Sequence, residues 1–239
     1  MQLERPYLVR HGDANGSTAE VDVEARIFLR PVGSSLPLGF LSLAVASVIL
    51  SGQQLGWLPT GQSRQIALVI LLFPVPLQLV ASVFGFLSRD SVGGTGMGLL
   101  ASSWLADGVI GLTSRPGATS RTLGLLLFVV SATLLVPVVA AALGKVLAAA
   151  VLLMAAVRFA LTGIYQFHGG VAWSDVSGWM GVAVSVVALY AALAFELEDT
   201  QHRTVLPVFR WRLGRRAITA GIAGAVDRVG REAGVREEL

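Results

Sequence analysis

The chain has 239 residues, of which 54% are hydrophobic and only 14% charged, and its mean hydropathy is +0.71. Too few polar side chains remain to coat a water-facing surface of this size, which excludes a soluble globular enzyme or a nucleic-acid-binding domain. There is no cysteine, hence no disulfide framework or thiolate metal site, and the net charge of +3 understates how basic the C-terminal segment is.

Residues 1–35 read as a polar N-tail with a turn-rich centre at Gly12 to Gly16. The alternation Val21, Val23, Ala25, Ile27, Leu29 fits a short strand or an extended segment along the membrane surface. Asn15-Gly16-Ser17 spells a glycosylation sequon that would be silent on a cytoplasmic tail. The first apolar run begins at Leu36 and continues as a full span, as expected of a first transmembrane helix and not of a signal peptide.

Six apolar runs follow: Leu36 to Leu58, Gln65 to Leu87, Met97 to Thr113, Thr122 to Leu143, Val146 to Phe167 and Val176 to Leu197. At about 1.5 Å per residue each helix crosses a hydrocarbon layer of about 30 Å, the third only just. The expected fold is therefore an all-α polytopic membrane protein of six transmembrane helices, with a membrane domain over 36–199. In the second run, Pro74 and Pro76 should kink the helix. The cluster Gly93, Gly94, Gly96, Gly98 falls between the second and third runs, where it is expected to turn a loop and let the third helix approach a neighbour closely.

Residues 200–239 carry eight arginines against four acidic residues. Arg210 to Arg231, with Trp211, Leu213, Ile218, Ile222, Val226 and Val229, reads either as a basic interfacial helix on anionic lipid headgroups or as a solvated, partly frayed tail. With both termini cytoplasmic, the inner side receives Arg5, Arg10, Arg26, Arg30, Arg89, Lys145 and the C-tail, whereas the outer side keeps Arg64, Arg115 and Arg121. That arrangement satisfies the positive-inside tendency and puts Trp57, Trp173 and Trp179 near the outer interface. One lysine beside seventeen arginines suggests a GC-rich bacterial genome and so an inner-membrane location.

Motifs for catalysis are missing. His11, His168 and His202 show no metal-ligand spacing, and Gly144-Lys145 is followed by Val146, so it does not end a phosphate-binding loop. The glycine cluster follows no strand, which removes a dinucleotide reading. No enzyme, cofactor or metal is expected.

Two ionisable residues lie well inside runs: Asp107 in the third and Arg158 in the fifth. Counted from Gly96 and Lys145 they reach similar depths, roughly 16 and 20 Å. A lone charge there costs several kcal/mol, so the two should pair as a structural ion pair or line a water-filled path, with Arg158 attracting a substrate carboxylate while Asp107 restrains it or exchanges a proton.

Leu36-Pro37-Leu38-Gly39-Phe40 opens the first span, Ser102-Ser103-Trp104 lies in the third, and Leu189-Tyr190 leads into Arg203-Thr204-Val205-Leu206-Pro207. In that order the chain, from Gly33 to Pro207, resembles the acetate transporter (GPR1/FUN34/YaaH) family, which moves short monocarboxylates and dicarboxylates. The resemblance implies six-helix protomers in a ring of six, each with its own anion pathway. It places the family signature on Pro37, Leu38 and Gly39, and an apolar constriction on Leu43, Trp104 and Met154. The sequence departs at Ser34-Ser35-Leu36-Pro37, where the family usually has Asn-Pro-Ala-Pro, and at Gly85, where relatives commonly carry a glutamate; Gln78 remains one or two turns earlier as a polar pore residue. The function expected is a membrane transporter or channel for small carboxylates such as acetate or succinate, with or without a coupled proton. The partners are then the substrate, the lipid bilayer and further copies of the chain. The alternative is a diverged, non-transporting membrane scaffold or sensory partner.

Overall fold

A computed structural model describes residues 33–201 and 203–209; the N-tail strand and the basic C-terminal helix expected from the sequence lie outside the described residues. The described chain is helical: α1 (Leu36–Gln54), a 3-10 turn at Thr60–Gln62, α2 (Ser63–Leu72), α3 (Pro74–Leu87), α4 (Ser91–Thr113), α5 (Arg121–Ala142), α6 (Val146–His168) and α7 (Val171–Gln201). These seven helices make six spans, because α2 and α3 are the two halves of the second. They part at Phe73, where Pro74 and Pro76 have no N–H to continue the ladder. Ser42 Oγ on α1 donates to Pro74 O at 2.9 Å and ties the break to the neighbouring span.

Each span packs against its neighbours in the chain, and α7 closes back on α1, so the six form a ring in sequence order. The start of α1 and the end of α7 meet at one end, where Ser34 N–H donates to Asp199 Oδ2 at 3.4 Å. The opposite end carries the loops between α1 and α2, α4 and α5, and α6 and α7. Trp57, Trp173 and Trp179 all lie there, exposed, and Trp57 and Trp179 stack edge to face with centroids 6.1 Å apart. Interfacial indoles prefer this kind of place.

Five spans are long and apolar enough to cross a bilayer by composition alone; α4 is not among them. Its 23 residues would cover about 34 Å, but its first turns hold four glycines, Gly93, Gly94, Gly96 and Gly98, and pack against other helices. The apolar run of this span begins only at Met97. The structure begins it at Ser91, so the glycine cluster is the first turns of a helix and not a loop. Asp90 caps that helix by accepting from Gly93 N–H at 3.1 Å and pairs with Lys145 Nζ at 2.6 Å, which ties the start of α4 to the start of α6. Just before it, α3 ends in a Schellman arrangement: Asp90 N–H donates to Gly85 O, Arg89 N–H donates to Phe86 O, and Arg89 takes a left-handed φ of 60°. The last span also starts earlier than read, at Val171 instead of Val176, and its 31 residues exceed the hydrocarbon thickness.

The glycines of α4 act by close approach. Gly85 of α3 lies against the Gly94 backbone so tightly that a Cβ would come 2.7 Å from Gly94 N, and Ser82 Oγ donates to Gly94 O at 2.7 Å beside it. Small residues are what let two membrane helices touch backbone to backbone. A glutamate, which the family resemblance implies at this place, has no room here. The outward faces are apolar by contrast: Phe84 and Leu87 on α3 and Leu125, Val129, Val136 and Val139 on α5 are exposed, as lipid-facing side chains are.

Candidate functional site

The ring closes around large buried side chains from four spans: Phe40 and Leu43 of α1, Met97, Leu100 and Trp104 of α4, Leu152 and Phe159 of α6, and Phe195 of α7. Amid this apolar filling sits Arg158, 1% exposed. It is inward because α6 turns its small residues, Ala148, Ala155 and Ala156, and the face that bears Arg158 and Thr162, toward the centre. The guanidinium is held by two contacts. Nη2 donates to Ser47 O of α1 at 3.2 Å, and the Trp104 ring lies beneath it with its centroid 5.4 Å from Cζ. Nε and Nη1 have no hydrogen-bond partner.

A cation without its donors satisfied is costly in such a place, and Arg158 borders free space on one side. A small cavity of about 10 Å³, room for roughly one water, is lined by Arg158, Trp104, Phe159, Ser103, Thr162 and Asp107. A second cavity of about 120 Å³ opens toward the loop end, and Leu50, Asp107 and Thr162 belong to both. Asp107 and Thr162 therefore stand at the threshold between a vestibule and an inner pocket. The vestibule wall adds Gln54, Gln166, Ser174 and the exposed Arg115. Thr162 Oγ1 is buried without a partner.

Asp107 and Arg158 act on each other through space, yet no ion pair joins them among the described residues. Of the two arrangements open from the sequence, the direct bridge is not the one seen; both side chains face a shared cavity. The depth count from Gly96 was short, since α4 starts at Ser91, but the two residues do reach one level because they line one space.

The remaining residues singled out from the sequence fall in different places. Leu43 and Trp104 are buried in the same core. Met154 is half-buried at its edge and does not line either cavity; the aromatic facing Trp104 is Phe159, edge to face at 5.4 Å, which spacing along the sequence did not point out. Pro37 and Gly39 are buried at the start of α1, Leu38 half-buried, and Gly39 takes the Met97 side chain against its Cα. Gln78 is fully buried in α3, outside both cavities, with its amide unpartnered. Tyr190 OH donates to Pro207 O at 3.1 Å, so the Arg203 to Pro207 segment doubles back along α7 and Val208 enters the core.

No family model matches the sequence, and no curated protein does. Among solved structures the fold is similar to that of the bacterial acetate channel SatP, with a TM-score of 0.66 and 24% identity over 74% of this chain and 99% of that one. The likeness covers the ring of spans and agrees with the resemblance to acetate transporters seen in the motifs. This chain is a multi-pass, all-helical membrane protein that shares the fold of a bacterial acetate channel.

Proposed function

We propose that the chain is a transporter or channel for small organic carboxylates such as acetate or succinate, set in a bacterial inner membrane with both termini cytoplasmic. One observation carries this reading. A fully buried arginine with two unpartnered nitrogens lines an inner pocket that shares Leu50, Asp107 and Thr162 with a vestibule. A carboxylate is the partner those donors fit, because charge-assisted bonds to guanidinium are strong and directional. The fold supports it, being that of a protein described as an acetate channel.

The pathway works by contrast of surfaces. Arg64, Arg115 and Arg121 stand exposed at the loop end and raise the local concentration of anions. The vestibule then presents amides and hydroxyls that can replace part of a hydration shell. Beyond the threshold, Trp104 and Phe159 wall an apolar neck that a small organic acid can pass and a strongly hydrated inorganic ion cannot easily enter, with Leu43 packed in the same core. Arg158 offsets the loss of water for the one charge that must get through. The exposed apolar flanks of α3 and α5 are faces that lipid or further copies of the chain would cover, six copies by resemblance.

Uptake of labelled acetate into proteoliposomes, with and without a pH gradient, tests the reading. Flux that succinate and propionate compete for is expected, and acceleration by an inward proton gradient would identify symport. Liposomes no leakier than empty ones would instead favour a non-transporting scaffold.

A further inference from the structure

We propose that the vestibule is a selection site for small hydroxycarboxylates such as glycolate and lactate, the ligand hydroxyl received by Asp107 and Gln54 and its carboxylate by Arg115 and Gln166. The inference rests on the carboxylate reading above and narrows it to one substrate class.

The vestibule has the size for such a ligand. Its volume of about 120 Å³ would hold on the order of ten waters, room for a small organic acid, whereas the inner pocket holds about one. Its hydrogen-bonding groups are unevenly used. Ser63 Oγ donates to Thr60 O at 2.6 Å and accepts from Gln53 Nε2 at 3.2 Å, and Ser174 Oγ donates to Gln54 O at 2.8 Å, so these wall groups are taken. Gln166 Oε1 accepts from Ser120 N–H at 2.7 Å, which leaves the NH2 of that amide as the end without a partner. Arg115 stands exposed on the same wall. The cavity also holds acceptors with nothing to accept from: Gln54 Oε1 is unpartnered on a side chain only 9% exposed, and half-buried Asp107 makes no hydrogen bond among the described residues. Thr162 Oγ1, 3% exposed and unpartnered, can donate or accept.

A plain carboxylate answers only half of this set. It carries acceptors alone, so acetate displacing the vestibule water would leave Gln54 Oε1 without a donor and bring like charge to Asp107. A hydroxyl beside the carboxylate brings the missing donor. Buried acceptors left unmet are how a site rejects an analogue that lacks one hydroxyl. An ammonium would donate as well, but Asp107 also lines the inner pocket with Arg158, so a second cation at this threshold meets the guanidinium. The neutral donor is favoured where the charged one is opposed. For the other end of the ligand, Arg115 and the Gln166 NH2 supply donors on the same cavity, and a guanidinium binds a carboxylate by charge-assisted bonds.

The test uses the full-length protein in proteoliposomes at neutral pH, with labelled acetate as reporter and unlabelled lactate, propionate and alanine as competitors. These share one carbon skeleton and differ beside the carboxylate in a hydroxyl, a hydrogen and an ammonium. In wild-type protein lactate should inhibit at a concentration about tenfold or more below that of propionate, and alanine should do no better than propionate. This comparison needs no variant and so does not depend on variant folding. Gln54→Met and Asp107→Asn should each bring lactate and propionate within about threefold of each other, whereas Arg115→Gln should weaken both and keep their ratio. Propionate equal to lactate, alanine equal to lactate, or a ratio that neither Gln54→Met nor Asp107→Asn changes overturns the inference and leaves the carboxylate reading standing, since acetate is still carried. Acetate flux no greater than in empty liposomes overturns both.

Discussion

The Arg158 guanidinium lies over the Trp104 indole, with Cζ 5.4 Å from the ring centroid, inside a ring of membrane spans. A desolvated cation–π contact contributes about 2 kcal/mol. Burying a charge within a span costs more than that, even on insertion scales of about 3 kcal/mol per arginine. The indole therefore offsets only part of the cost, and the rest falls to Ser47 O and the field of Asp107. Arg158 is thus held by contacts that leave two of its nitrogens, Nε and Nη1, unpaired.

Trp104→Ala should open the neck and loosen selection. We expect a several-fold rise in chloride and benzoate leakage through reconstituted protein, read by anion-sensitive dyes in the vesicle lumen. An unchanged permeability profile in a correctly folded variant would mean that Trp104 only packs between helices.

Asp107 and Arg158 should couple energetically although they do not touch. Asp107→Asn or Arg158→Gln alone leaves an uncompensated charge in low dielectric, whereas removing both does not. Folded yield in detergent, followed by size-exclusion chromatography, should fall in each single variant and partly recover in the double variant. Losses that simply add would show that the shared cavity does not couple them.

Gly85→Glu introduces the side chain that the family resemblance implies at this position, and the structure has no place for it. Its Cβ would come 2.7 Å from Gly94 N and force α3 from α4. Overpacking of this kind costs about 1–3 kcal/mol. The thermal midpoint in detergent should drop by several degrees, while Gly61→Ala, where nothing lies within 4 Å, should leave it in place.

Gly181→Ala acts on Arg158 from behind. A Cβ there would fall on Ser51 Oγ and 2.7 Å from Arg158 Nε, so the guanidinium must shift within its pocket. Carboxylate uptake should fall about tenfold, with less loss of folded protein than in Arg158→Gln; a variant that transports normally would separate Arg158 geometry from function.

Asp90 performs two tasks, capping α4 and pairing with Lys145. Loss of the cap costs about 1 kcal/mol. The half-exposed pair adds up to about 1 kcal/mol. Asp90→Ala should therefore destabilise more than Asp90→Asn, which keeps a capping oxygen, and high salt should narrow the gap between wild type and Asp90→Asn.

What the sequence determined by itself was set by length and composition along single helices. Six runs long and apolar enough to span were legible because hydration of a backbone in lipid is impossible, so a run of that kind has one structural solution. The break at Pro74 was legible for a local reason too, the missing N–H of proline. Asp107 and Arg158 stood out because charges are rare in such runs. The start of α4 was missed, because Ser91 to Met97 is rich in glycine and poor in apolar side chains, and becomes membrane helix only where Gly94 packs against Gly85 and Leu152 against Gly96. Phe159, Thr162 and the separation of Asp107 from Arg158 were missed for the same reason. Which face of a helix looks inward, and how far two inward side chains stay apart, is fixed by the neighbouring spans, and only the closed ring decides it.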